Sequence, residues 1–372
     1  KTNFRANMKI HTSTIEQTAR LRSDLRLGRP VLIRNNQNFG LTFAIETIKK
    51  DSVAEINKRY LQHSHLVITA RRAETLNAIP YDGDLARLVI DGNVSYNWLL
   101  STANPALDLS HPLKGPFKTH RDGETEISRA AISLCKKAQL LPAALVINLS
   151  KKDFNKYKSE GLLLQEAQDV LAQTSHSSLL REVSTATLPL KGITKSRISV
   201  FRDTASFSEH YAIEVGNPKK TDAVLVRMHS ACFTGDVVGS LKCDCGEQLQ
   251  IAMEILSKND SGLLIYLNQE GRGIGLANKM RAYELQNQGF DTVQANHKLG
   301  FEDEERDLRI GAQIISMIGF KKIRLLTNNP KKVKSMSEMG IIVSERINLL
   351  TKPTKENASY LSTKASKSGH II

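Results

Sequence analysis

Nothing in the sequence reads as a membrane span, because no run of about 18 apolar residues occurs. The opening stretch from Lys1 to Met8 lacks the apolar core of a secretory signal. Aromatic residues make up only 5%, and neither an RNA-stacking signature nor a helix-turn-helix pattern is visible, which argues against nucleic acid as the ligand. Four cysteines in 372 residues are too few for a disulfide framework. Three of them, Cys232, Cys243 and Cys245, fall in one 14-residue window, which reads as a metal site in a reducing compartment; the cytoplasm is expected. What the chain has in excess is positive charge, with 52 basic against 38 acidic residues and a formal net charge of +14. Such a surface gathers anions, nucleotides among them, without choosing between them.

The length suggests two domains, since a single core rarely grows much past about 250 residues. Residues 1–182 alternate short apolar runs (Val31 to Ile33, Leu66 to Thr69, Ala143 to Ile147) with amphipathic stretches. One such stretch, residues 126–138, places Ile127, Ala130, Ala131 and Leu134 on one helical face. A Ser/Thr-rich segment at 181–195, with Pro189 and Gly192, reads as the connection. Beyond it, strand patterns at 223–226, 262–267 and 323–326 alternate with helical patterns at 246–258, 276–288 and 303–318. Asn329 and Pro330 cap and open a further helix that stops at Gly340. The expected class is α/β (α+β), two domains, each a mixed sheet with flanking helices. The second domain is placed at 186–352 and a flexible, Lys/Ser/Thr-rich tail at 353–372.

The cysteines are spaced C-x10-C-x-C. Thiolates select zinc or iron–sulfur chemistry over magnesium. Three of them leave a tetrahedral zinc with one open corner, the mark of a catalytic rather than a structural ion; His229 as a fourth ligand would close it. Between a strand and a helix stands Gln269-Glu270-Gly271-Arg272-Gly273-Ile274-Gly275, where glycines let backbone amides approach a phosphate at a helix N-terminus. Glu270 can accept from the amidine edge of a guanine and Arg272 can fork onto phosphate oxygens. A second strand-to-helix turn, Thr327 to Lys332, offers Lys331 and Lys332 to phosphates.

Together these segments resemble GTP cyclohydrolase II of riboflavin biosynthesis over residues 186–350. The resemblance runs through Phe201 to Thr204, Val226 to Ser230, Leu241 to Gly246, Gln269 to Tyr283, Ala295 and Asn296, Leu299 to Phe301, Glu305 to Asp307 and Leu325 to Val333. It implies that Cys232, Cys243 and Cys245 hold Zn2+, and that hydrolysis at C8 opens the purine of GTP with loss of formate and pyrophosphate. The implied product is 2,5-diamino-6-(5-phosphoribosylamino)pyrimidin-4(3H)-one. Arg306 matches the family's nucleophile on the α-phosphate, Glu304 its proton acceptor and Tyr283 its catalytic tyrosine. Arg227, Met228, His229, Ser230, Ala231, Gln248, Glu270, Gly271, Arg272, Thr292, Thr327 and Lys332 match its GTP contacts. The resemblance further implies Mg2+ on the triphosphate and a homodimer. Three positions depart from the family: Ala231 and Asn268 replace common Glu and Arg, and Glu304 replaces Asp. An alternative expectation is a GTP-binding regulator with partial or no turnover.

The first half resembles a degenerate 3,4-dihydroxy-2-butanone-4-phosphate synthase through Leu27 to Ile33, Gly123 to Glu126 and Leu141 to Val146. Where that family carries an acidic metal loop, this chain has Arg34 to Gly40 with no carboxylate, and Glu124 replaces the metal-binding histidine. Lacking those ligands, this half is expected to be non-catalytic, with a structural, dimerising or regulatory role.

Overall fold

A computed structural model of the protein describes residues 12–175, 180–193, 195–204, 206, 208–259 and 261–351; the expected tail at 353–372 lies outside them. The first sheet is built from Val31–Asn35 (β1), Asn38–Ala44 (β2), Ser64–Thr69 (β3), Leu85–Val89 (β4), Ala143–Asn148 (β5) and Leu164–Glu166 (β6), in the order β4-β3-β5-β2-β1-β6. All its pairings are antiparallel except β1 with β6. Alternation along β5 sends Ala143, Leu145 and Ile147 to one hydrophobic cluster and Ala144 and Val146 to the other. A strand covered on both faces reads as a continuous apolar run, which is why it was visible in the sequence. The helix Glu126–Lys137 covers one face through Ile127, Ala130, Ala131 and Leu134.

The second sheet comprises Leu180–Thr187 (β7), Ser196–Asp203 (β8), Glu209–Gly216 (β9), Val224–Ser230 (β10), Ser261–Leu267 (β11), Lys322–Leu326 (β12) and Ile342–Ile347 (β13), ordered β13-β12-β10-β11-β9-β8-β7. Its β13-β12-β10-β11 half is parallel and its β11-β9-β8-β7 half antiparallel. Both sheets are therefore mixed and flanked by helices, as the patterning indicated.

Two readings of the sequence change here. The first part of the segment expected to be a connection (181–195) instead belongs to the edge strand β7, Leu180–Thr187, hydrogen-bonded to β8. From Arg181 to Thr187 every residue is exposed, so the strand carries no hydrophobic alternation to announce it. The helix expected from Asp303 begins instead at Arg309. The acidic residues before it do not fill a first turn: Glu304 forks onto Arg306, and Asp307 Oδ1 accepts from the backbone amide of Arg309 at 3.0 Å. Residues 302–307 are thereby held as a loop.

The two halves share one core. Ile274, Ala282, Leu285, Ala295, Leu299 and Phe301 of the second half pack in the same cluster as Leu66, Leu88, Leu99 and Leu145 of the first. Fully burying each of the leucine, isoleucine and phenylalanine side chains contributes about 1.5–3 kcal/mol.

Candidate active site

Arg227 and His229 alternate with Met228 along β10. The first two line a cleft, while Met228 is 1% exposed in the core with Ile310 and Ile314. The cleft sits at the carboxyl ends of three adjacent parallel strands, β12, β10 and β11, where open α/β sheets place ligands. Of the eighteen expected residues sixteen line it: Arg227, His229, Ser230, Ala231, Gln248, Glu270, Gly271, Arg272, Thr292, Thr327 and Lys332, with Tyr283, Arg306, Cys232, Cys243 and Cys245. Met228 does not: its side chain faces the opposite side of the strand, leaving only its carbonyl, which accepts from Lys332 Nζ at 2.9 Å. Glu304 faces a second, larger cleft between the halves, and Arg306 lines both.

The three cysteine Sγ atoms lie within 4.8 Å of one another, and those of Cys232 and Cys243 are 3.7 Å apart. A tetrahedral zinc with bonds of about 2.3 Å sets its sulfurs about 3.8 Å apart, so this cluster fits the ion. His229 is not part of it; its Nε2 lies 3.0 Å from both oxygens of Asp236. Glycine makes the convergence possible. A Cβ on Gly235 would fall 2.9 Å from Cys243 Sγ and 3.1 Å from Cys232 Sγ, and one on Gly246 would fall 2.3 Å from the Gly235 carbonyl oxygen.

A buried carboxylate ties the cysteine loop to the sheet. Asp236 Oδ2 accepts from the Cys232 amide at 3.0 Å and from the Tyr266 hydroxyl at 2.8 Å. Burial pushes His229 below its usual value against the pull of Asp236, so the ring is neutral near pH 7. It stacks on Tyr266 with ring centroids 5.5 Å apart.

Lys279, which the sequence reading did not single out, joins three parts of the site. Its Nζ is 3.0 Å from Cys232 Sγ, 2.8 Å from Thr234 Oγ1 and 2.9 Å from Glu270 Oε1. Neighbouring thiols of Cys243 and Cys245, and then Lys279, pull the Cys232 thiol strongly down against its burial. Glu270 also accepts from the Phe233 amide at 2.6 Å, clamping the glycine turn to the cysteine loop. Four residues later on the same helix, Leu276–Asn287, stands Tyr283. Burial pushes its phenol up to about 12, so it keeps its proton at neutral pH. The i, i+4 spacing of Lys279 and Tyr283 was the available signal for the lysine.

The composition of the glycine turn also has a reason in the fold itself. Gly271, Arg272, Gly273 and Gly275 all have positive φ. A Cβ on Gly273 would fall 2.6 Å from the Glu305 carbonyl oxygen, and the Glu305 amide donates to the Arg272 carbonyl at 3.2 Å. The turn thus docks the loop that carries Arg306, whose Nη1 donates to Ser230 Oγ at 3.2 Å.

At the far side, Arg227 is 5% exposed and donates to Gln248 Oε1 at 2.7 Å and to the Leu326 carbonyl at 3.1 Å. Burial lowers it to about 10. Asn329 caps the helix Pro330–Glu338 by accepting from the Lys331 amide, and that cap turns Lys332 into the cleft. Of the departures from the resemblance, Ala231 lines the cleft, whereas Asn268 lies on the second one, its backbone N–H donating to His210 Nδ1 at 3.0 Å.

Residues 181–348 match the family model for GTP cyclohydrolase II. A protein of Azospirillum brasilense named GTP cyclohydrolase-2 is 37% identical over 379 residues, covering 99% of this chain and 97% of that one. A riboflavin biosynthesis protein RibBA of Bacillus mycoides is 41% identical over 292 residues, covering 74% of this chain and 72% of that one. Among solved structures, RibBX of A. baumannii, a two-domain 3,4-dihydroxy-2-butanone 4-phosphate synthase, matches at 14% identity with a TM-score of 0.32, covering 90% of this chain and 99% of that one.

Proposed function

The chain belongs to the GTP cyclohydrolase II family, and from that premise we propose that its cleft opens the imidazole ring of GTP, releasing formate and pyrophosphate as the first step of riboflavin biosynthesis. The observation that carries the reading is the set of three sulfur atoms within 4.8 Å of one another in a cleft that buried cations also line. Cys232, Cys243 and Cys245 would hold zinc, which would supply Lewis acidity and lower the pKa of water towards neutral. Glu270 accepts from the N1 and amino hydrogens of guanine while Lys279 fixes its orientation. Tyr283, a phenol at working pH, donates a proton to nitrogen as the ring opens. Arg306, ion-paired to Glu304 and bonded to Ser230, stabilises charge on the α-phosphoryl group as pyrophosphate departs. Gln248, Arg227, Thr292, Thr327 and Lys332 line the rest of the nucleotide's path, and Mg2+ enters on the triphosphate.

The first half takes no part in the chemistry. Its Arg34-to-Asn38 turn is a tight hairpin with Asn36 at φ 55, and Glu124 is bonded to Asn35 Nδ2 at 2.8 Å and to the Ile127 amide. Self-association is supported by the exposed apolar residues Phe233, Val237, Val238 and Leu241 beside the cysteine loop. No helix among the described residues is long and apolar enough to cross a membrane. Free thiols at the cluster fit the cytoplasm. The test is incubation with GTP, zinc and magnesium followed by mass analysis. Formate, pyrophosphate and the diaminopyrimidine are expected, and Cys243→Ser should yield none. Full formate release by a zinc-free variant, or tight GTP binding with no release by the wild type, refutes the reading.

A further inference from the structure

The helix Leu276–Asn287 presents two adjoining faces. Lys279 and Tyr283 look into the cleft, while Asn278, Arg281, Ala282 and Leu285 meet the first half of the chain. There Glu46 takes both outer nitrogens of Arg281 at 3.0 and 3.1 Å, and also accepts from the Leu141 amide at 2.7 Å. The Gln139 carbonyl accepts from Asn278 Nδ2 at 3.1 Å. Residues 302–307, which carry Glu304 and Arg306, have no regular structure of their own. Within the second half they are fixed by the glycine turn, by His297 Nε2 at 2.7 Å from Asp303 Oδ1, by Gln269 Nε2 on the Asp307 carbonyl at 2.9 Å and by the Arg306–Ser230 bond; from the first half come Lys136 Nζ on Glu305 Oε1 at 2.6 Å and Arg71 on Glu302 at 3.2 Å. Glu305 Oε1 in turn accepts from the Glu302 amide, closing the loop on itself. Gly300, just before the loop, is pressed so close to the first half that a Cβ would fall 2.7 Å from Thr69 Oγ1.

The bonds from the first half therefore land on the two segments of the second half that carry the reacting side chains. We propose that Glu46 and Lys136 are positioning residues for the cyclohydrolase reaction: the first half acts as a jig that sets the rotation of the Lys279–Tyr283 helix and the place of Arg306. The claim rests on the reading of the cleft given above. A reacting group displaced by about 1 Å can cost 100-fold in rate, so the jig acts on kcat rather than on GTP affinity.

The test uses the full chain with Glu46→Ala, Lys136→Ala and both together, read by hydrogen–deuterium exchange and by steady-state formate release. Amides of 276–287 and 302–307 are expected to exchange faster while β10 and β11 do not. The double variant should lose about tenfold or more in kcat with KM for GTP within about twofold. Lys136→Arg should recover most of the Lys136→Ala loss, and Lys118→Ala, which breaks an exposed ion pair with Asp91 inside the first half, should change nothing. Unchanged exchange in both segments overturns the proposal whether or not the enzyme turns over; faster exchange with unchanged kcat overturns it as well. A wild type that releases no formate sinks the cyclohydrolase reading instead, and the exchange arm still decides the jig. Should Lys136→Ala fail to fold, Glu305→Gln breaks the same pair from the other side.

Discussion

Gly235→Ala adds one methyl group, and the structure says where it goes. The new Cβ falls 2.9 Å from Cys243 Sγ, 2.9 Å from Cys245 Cβ and 3.1 Å from Cys232 Sγ. Carbon in ordinary contact stands about 3.5–4.0 Å away, so the sulfurs must retreat by about half an ångström or more. The backbone cannot retreat in their place, because the Gly235 carbonyl already lies where a Cβ on Gly246 would be 2.3 Å away. Metal–ligand distances hold to about ±0.2 Å, so a cluster opened this far no longer binds zinc with three sulfurs. The expected loss is at least about 100-fold in zinc affinity, or about 2.8 kcal/mol. Competition against a chromophoric chelator measures it, with formate release assayed on the same preparation. Val237→Ala, in the same loop but 71% exposed, is the control and should bind zinc normally. A Gly235→Ala protein that keeps its full zinc content, with affinity within about threefold of wild type, refutes the idea that this glycine exists to let the sulfurs converge.

Glu270→Gln should cut kcat/KM for GTP by about 10–100-fold and narrow the preference for GTP over ITP, which lacks the amino group the carboxylate accepts from; unchanged GTP/ITP discrimination in competition assays counts against that contact. With zinc removed, the thiols of Cys232, Cys243 and Cys245 should react with a disulfide reagent in native protein. Cys135, whose burial pushes its thiol up to about 12, should react only after denaturation; a fast fourth thiol in the native state would contradict this. His65 is 6% exposed, and burial, with the charges of His120 and Arg87 behind it, pushes it down to about 3. Because the unfolded ring takes up its proton near pH 6.5, stability is fully present above that pH and is lost as pH falls toward 3. At pH 5 the loss is about 2 kcal/mol. His65→Gln should shrink the fall in urea-derived unfolding free energy between pH 7 and pH 5 by that amount, and an unchanged fall would show that the histidine titrates normally when folded.

The buried strands were legible because burial on both faces writes itself as an apolar run, as in β5 and β11. The strand β7 left no such trace, since every residue after Leu180 is exposed. The acidic start of residues 303–307 matched the dipole preference of a helix N-terminus, but two of those carboxylates are spent on arginine side chains and the helix waits until Arg309. At the site, the spacing of the cysteines was enough to bring the three sulfurs together on paper. What the spacing did not carry was Gly235, whose role exists only once the loop closes, or Asp236, which reads as one more polar loop residue. Lys279 belongs to a helix with no strong apolar stripe, because one of its faces lines a polar cleft; a lysine there looks like any solvated residue.

The net charge of +14 gains a place in the molecule from these contacts. A surface stripe of lysines would suit a polyanion such as nucleic acid, but here part of the positive charge is drawn inside. Lys279 is answered by Glu270 and the Cys232 sulfur, and Arg306 by Glu304. Arg227 donates to an amide oxygen and a backbone carbonyl, both neutral, and its Nε has no hydrogen-bond partner among the described residues. The charges of Cys245, Asp244 and Asp236 lie close enough to favour the guanidinium but do not offset its desolvation, seen in its lowered pKa. A fold keeps such a group when a ligand supplies the missing charge or acceptors. At the carboxyl ends of parallel strands, beside a sulfur cluster that fits zinc, a nucleotide triphosphate is the ligand class that does so along the whole length of the cleft.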